Sequence, residues 1–191
     1  MARPATPASW LIAAALILIG AARAPPAPQT TFISPSGEPF RPSQGGAPPF
    51  ETWFARLDAR HEGRIDRSAF EADATAFFHR LDANGDGVID GFEISAYEKA
   101  IAPELTQQTD SGQSQRAYVA LLNEPEPVSG ADLSLDLRIT AAEWKAATDR
   151  RFDVLDVRKT GFLDHDALVA RLPKPDAPRK GKPDVEQGSP R

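Results

Sequence analysis

The chain has no cysteine, which removes disulfide frameworks, thiolate nucleophiles and cysteine metal sites from consideration. Its three histidines, His61, His79 and His165, show no HExxH spacing and join no Ser/His/Asp pattern, and there is no glycine-rich phosphate loop. No catalytic motif is present, so the expectation is a protein that is not an enzyme. An excess of basic residues is also missing. Residues 50–172 hold 23 of the 27 acidic and 14 of the 22 basic side chains, a net of −9 that argues against nucleic acid as a partner and for bound cations. The apolar run 10–22 (WLIAAALILIGAA) falls short of the about 20 residues a membrane-spanning helix needs.

What is present divides the chain into four parts. Arg3, the apolar run and the small residues Gly20, Ala21 and Ala22 have the layout of a secretory signal peptide, assigned to residues 1–24. A cut after Ala22 fits best and one after Ala24 also fits, while an uncleaved N-terminal anchor is the competing reading. Without a cysteine at the cut, a lipoprotein anchor is excluded. The expected location is periplasmic or secreted. Residues 25–49, rich in Pro, Gly, Ser and Thr without periodicity, are expected to be a flexible linker, and 173–191 a disordered Pro-rich tail. The folded domain is expected over 50–172.

Inside that domain, residues 82–93 (DANGDGVIDGFE) place oxygen-bearing residues at alternating positions. With Asp82 as position 1, Asn84 stands at 3, Asp86 at 5, Asp90 at 9 and Glu93 at 12, while Val88 at 7 offers its carbonyl. Gly87 at 6 allows the sharp turn. A hard cation seeking six to eight oxygens is served by such a set, with Glu93 able to supply two. The plainer reading is a turn followed by a capped helix, because Asp90 and Glu93 also have capping-box spacing.

The pattern repeats. Residues 54–66 (FARLDARHEGRID), 78–90 (FHRLDANGDGVID) and 152–164 (FDVLDVRKTGFLD) share Phe, Leu, Asp, Gly and Asp at equivalent positions, and 132–143 (DLSLDLRITAAE) is a fourth copy. The chain resembles EF-hand calcium-binding proteins of exported bacterial type. The resemblance implies an all-α fold of helix-loop-helix repeats with short loop-to-loop β contacts, and calcium as the bound ion. Loops 58–69 and 156–167 carry Arg60 and Arg158 at position 3 and Ala69 and Ala167 at position 12, so they are expected to be metal-free. Loop 132–143 keeps Asp132, Ser134, Asp136, the Arg138 carbonyl, Thr140 and Glu143, but Leu137 stands at position 6. A left-handed backbone there costs a non-glycine residue about 1–2 kcal/mol, so weaker binding is expected. Thr140 and Glu143 also read as a capping box.

Only twelve residues separate the loops within each half, 70–81 and 144–155, too few for two helices and a turn. An unbroken helix of that length would hold its loops about 18 Å apart. Loop 82–93 is therefore expected to face loop 132–143, with Ile89 against Ile139, and loop 58–69 to face 156–167. Helices are expected over 94–102 and 115–123. Phe70, Ala74, Phe77, Phe78 and Leu81 form one apolar helical face and are assigned to the core. The functional expectation is a calcium-responsive sensor or interaction module, with a passive buffer or calcium-stabilised adaptor as the alternative. Any protein partner is unspecified, and the single methionine, Met1, argues against a Met-rich groove.

Overall fold

The computed structural model describes residues 31–103, 121–122 and 124–173. Each repeated loop runs into a helix because its ninth residue is a side-chain cap. Asp66 accepts the Ala69 N–H ahead of α2 (Arg67–Leu81), and Asp90 accepts from Phe92 and Glu93 ahead of α3 (Gly91–Ala96). Thr140 accepts the Glu143 N–H ahead of α4 (Ala141–Leu155), and Asp164 accepts the Ala167 N–H ahead of α5 (His165–Val169). The first helix, α1 (Pro49–Leu57), has proline at its start, where no intrahelical N–H is needed. A π-helical turn, Tyr97–Ile101, prolongs α3, and the helix leading into the third loop is a single 3-10 turn, Ser129–Ala131.

The all-α expectation is overturned. The described residues form a mixed α/β structure, with helices set among three two-stranded antiparallel sheets. β1 (Phe32–Ile33) pairs with β2 (Pro39–Phe40), β3 (Arg64–Asp66) with β6 (Phe162–Asp164), and β4 (Val88–Ile89) with β5 (Ile139–Thr140). The two loop-to-loop sheets follow the expected partnership: Ile89 lies opposite Ile139 and Ile65 opposite Leu163. These four aliphatic side chains are at most 1% exposed, so each strand pair buries apolar area as well as closing backbone hydrogen bonds.

The third sheet corrects the linker expectation where it falls on residues 32–40. Residues 32–40 form a hairpin whose Phe32 and Ile33 are buried in the core, and α1 begins at Pro49. Aperiodic, Pro- and Gly-rich sequence conceals a two-residue strand, because two residues cannot display an alternation. The expectations for 1–24 and 25–30, for the helix over 115–123 except Leu121 and Leu122, and for the tail beyond 173 lie outside the described residues.

α2 leads from the first loop to the second and α4 from the third to the fourth, so the two 15-residue helices run antiparallel between the two loop pairs. At 1.5 Å per residue each spans about 22 Å. Both are unbroken, and Phe70, Ala74, Phe77, Phe78 and Leu81 are the buried face of α2, as the periodicity predicts. Trp144 on α4 donates its indole N–H to the Ala74 carbonyl at 2.9 Å, and Phe70 meets Phe152 edge-on with ring centres 5.6 Å apart. Two apolar clusters result. One gathers the hairpin, α1 and the first and fourth loops; the other gathers the far end of α2, Tyr97, Val128 and the second and third loops.

Candidate metal centre

All four loops share one backbone. Positions 4 and 6 are left-handed in each: His61 and Gly63, Gly85 and Gly87, Leu135 and Leu137, Lys159 and Gly161, with φ between 53° and 84°. The carboxylate at position 1 organises this shape. It is nearly buried in every copy, Asp58, Asp82, Asp132 and Asp156 being 5–9% exposed, and it accepts loop N–H groups at 2.7–3.3 Å. In loop 82–93, Asp82 accepts from Gly85, Asp86 and Gly87. Asp132 accepts from the equivalent Leu135, Asp136 and Leu137.

Position 12 separates the loops into two kinds. Glu93 Oε1 accepts the Ala83 and Asn84 N–H groups at 2.9 and 3.2 Å, while Oε2 accepts that of Asp90 at 3.0 Å. One side chain thus ties the start of the loop to its end. Glu143 repeats this in loop 132–143, taking Ser134 N–H at 3.1 Å and Thr140 N–H at 3.0 Å. These bonds, first the backbone N–H and then the hydroxyl of Thr140, lower the Glu143 carboxyl to about 2. Ala69 and Ala167 cannot close their loops in this way. There the arginine at position 3 supplies a tie of its own: Arg60 reaches Asp66 at 3.3 Å and Arg158 reaches Asp164 at 3.7 Å. A guanidinium charge lies against the ninth-position carboxylate, where a metal-binding loop would use a cation. All four groups are substantially exposed, so each pair adds little stability. Both arginines and their shared offset of six residues from an aspartate are visible in the sequence, but the pairing itself is set by the fold of the loop.

The remaining donors of loop 82–93 are in place but turned inward on one another. Asn84 donates its amide to Asp86 at 3.1 Å and accepts the Asp86 N–H at 2.8 Å; Asp86 accepts the Val88 N–H at 2.9 Å. Val88 lies in β4, and Asp90 caps α3. In loop 132–143, Ser134 Oγ lies 3.3 Å from Asp132, Asp136 accepts the Arg138 N–H, and Thr140 both caps α4 and donates its hydroxyl to Glu143. Among the described residues no three carboxylate or imidazole groups converge as a metal-binding cluster. The carboxylates are gathered along one short loop, and they are occupied with backbone N–H groups.

The donor set nevertheless fits a hard cation in kind. It consists wholly of oxygen, in one contiguous turn of fixed backbone, and an ionised carboxylate has about four acceptor sites, more than these N–H groups fill. Leu137 carries the expected left-handed strain at φ 65°, and Leu135 carries it too at φ 61°. In the sequence, the sign of this second cost is Gly85, which holds the same position in loop 82–93. In comparison with known proteins, no family model matches the chain, and neither does any curated protein or solved structure.

Proposed function

We propose that this is an exported, calcium-binding protein of EF-hand type, in which loop 82–93 is the principal site and loop 132–143 a weaker one. The observation that supports it best is the shared loop backbone, closed by a glutamate at position 12 in those two copies and by an arginine–aspartate pair in the other two. Asp82, Asn84, Asp86, the Val88 carbonyl, Asp90 and Glu93 would hold the ion in the first. Asp132, Ser134, Asp136, the Arg138 carbonyl, Thr140 and Glu143 would hold it in the second. A bound calcium ion supplies concentrated positive charge that draws six to eight oxygens together. The chain's own contribution is to prearrange the loop, cap the exit helix and place the two loops side by side through Ile89 and Ile139.

A responsive role is favoured over a passive buffer by the surface around the paired loops. Phe92, Leu133, Leu135 and Leu137 are 47–88% exposed there, an expensive arrangement for a protein that only stores ions. No catalytic step belongs to the reading, and export rests on the layout of residues 1–24.

Calorimetric titration with calcium, of the chain and of Glu93→Gln, tests it. Two binding steps are expected, with the tighter one lost in the variant. Absence of any calcium heat at millimolar concentration, or identical isotherms for the two proteins, overturns it.

A further inference from the structure

The hairpin at residues 32–40 is buried where turns are ordinarily exposed. Ile33 and Ser34 have no accessible surface, and Ser36 and Glu38 are 4% and 9% exposed. Its turn is tied internally, with Ser34 N–H donating to the Glu38 carbonyl and Gly37 N–H to that of Ser34, both at 2.9 Å. Outward, Glu38 is gripped by Arg56 of α1 at 2.6 Å and Arg80 of α2 at 2.7 Å. The tip is wedged between the flanks of the two candidate metal loops. The Gly37 carbonyl accepts the Tyr97 hydroxyl at 2.8 Å, and a Cβ on Gly37 would come within 3.0 Å of both Tyr97 Oη and Val128 Cγ2. Val128 leads into loop 132–143, while Tyr97 begins the π-helical turn after α3.

Tyr97 is one helical turn from Glu93, and its N–H donates to the Glu93 carbonyl. Residues four apart share a helix face, so a movement of α3 that turns the Glu93 carboxylate also moves the Tyr97 hydroxyl. Both Glu93 oxygens are held by Ala83, Asn84 and Asp90, so an ion that draws the carboxylate away from these N–H groups pulls on the start of α3. We infer that the 32–40 hairpin is an intramolecular latch on the exit helix of loop 82–93, so that its seating through Tyr97 and Gly37 opposes calcium binding there and calcium binding loosens it. The inference rests on the calcium reading above. Coupling of this kind is reciprocal: whatever unseats the hairpin tightens the site, by the same factor that the ion loosens the hairpin.

The test combines calcium titration of the full chain with amide hydrogen exchange at Ser34 and Gly37. Tyr97→Phe removes the hydrogen bond to the Gly37 carbonyl and leaves the ring in place; Gly37→Ala unseats the tip by collision and by its φ of +100°. Both variants are expected to bind calcium about three- to tenfold more tightly than the parent, the scale of one lost hydrogen bond. In the parent, saturating calcium is expected to speed exchange at the two amides. Unchanged or weakened affinity in Tyr97→Phe, with exchange indifferent to calcium, overturns the latch while leaving the calcium site intact. No calcium heat from the parent or either variant overturns both the latch and the reading it rests on.

Discussion

At the scale of the residue, the most informative positions are the left-handed ones. Gly87 stands at φ +84° with no atom within 4 Å of where a Cβ would be, so a side chain there meets backbone strain alone. Leu137 occupies the same place in the third loop at φ 65° and is 73% exposed, so its side chain gains little from burial in return. Leu137→Gly is therefore expected to stabilise the fold by about 1 kcal/mol, net of the greater flexibility that glycine gives the unfolded chain. Denaturant unfolding checks it, and a loss of stability would show that the leucine makes compensating contacts. The repeat made position 6 legible from the sequence, since glycine occupies it in the other three copies. Position 4 was harder to read: His61, Gly85, Leu135 and Lys159 have nothing in common except the backbone they adopt.

At the scale of the element, the helices were legible and the hairpin was not. α2 announces itself by five apolar residues at helical spacing, and its cap Asp66 begins it at Arg67. The hairpin owes its existence to what it touches. Phe32 packs against Phe40, Phe50 and Trp53 with ring centres 5.4–6.2 Å apart. Glu38 shows the same dependence: burial pushes its carboxyl up, but hydrogen bonds and charge from Arg56 and Arg80 outweigh that and hold it below its ordinary value. Asp73, deeper on α2, is raised because burial outweighs its contact with Arg56. A flexible linker would tolerate Phe32→Ala without effect. The packed hairpin predicts a loss of about 3–5 kcal/mol, as for other buried phenylalanines cut to alanine. A thermal or denaturant midpoint matching the parent's would return this segment to linker status.

At the scale of the whole molecule, two loop pairs are joined by two shared helices, and the end holding the first and fourth loops is cross-tied by groups from distant parts of the chain. His165 on α5 lies 3.0 Å from Glu51 on α1 and 3.1 Å from Asp166. The hydrogen bond to Asp166 comes first in raising its imidazole, partial burial opposes it, and Glu51 adds to the rise. A raised folded-state value means that the charged imidazole is stabilised by folding. Its contribution is therefore complete below the ordinary value of 6.5 and is lost as pH rises through the higher folded value. Unfolding midpoints are expected to fall between pH 6 and pH 8 by more in the parent than in His165→Gln. Equal pH dependence in the two proteins would exclude the pair as a source.

The sequence by itself determined the four loops, their unequal sets of oxygen-bearing side chains, the shared helices and the partnership of loops, because these follow from local spacing: oxygens at alternate positions, apolar residues at helical intervals, and twelve residues where a turn and two helices would not fit. Only the tertiary structure decided that the molecule is mixed α/β, that a Pro-rich segment is a buried hairpin, and that arginine answers aspartate in the loops lacking a glutamate. Those features have no periodic signature. They arise when side chains far apart in the chain meet, and their stability comes from the area and charge they cover there.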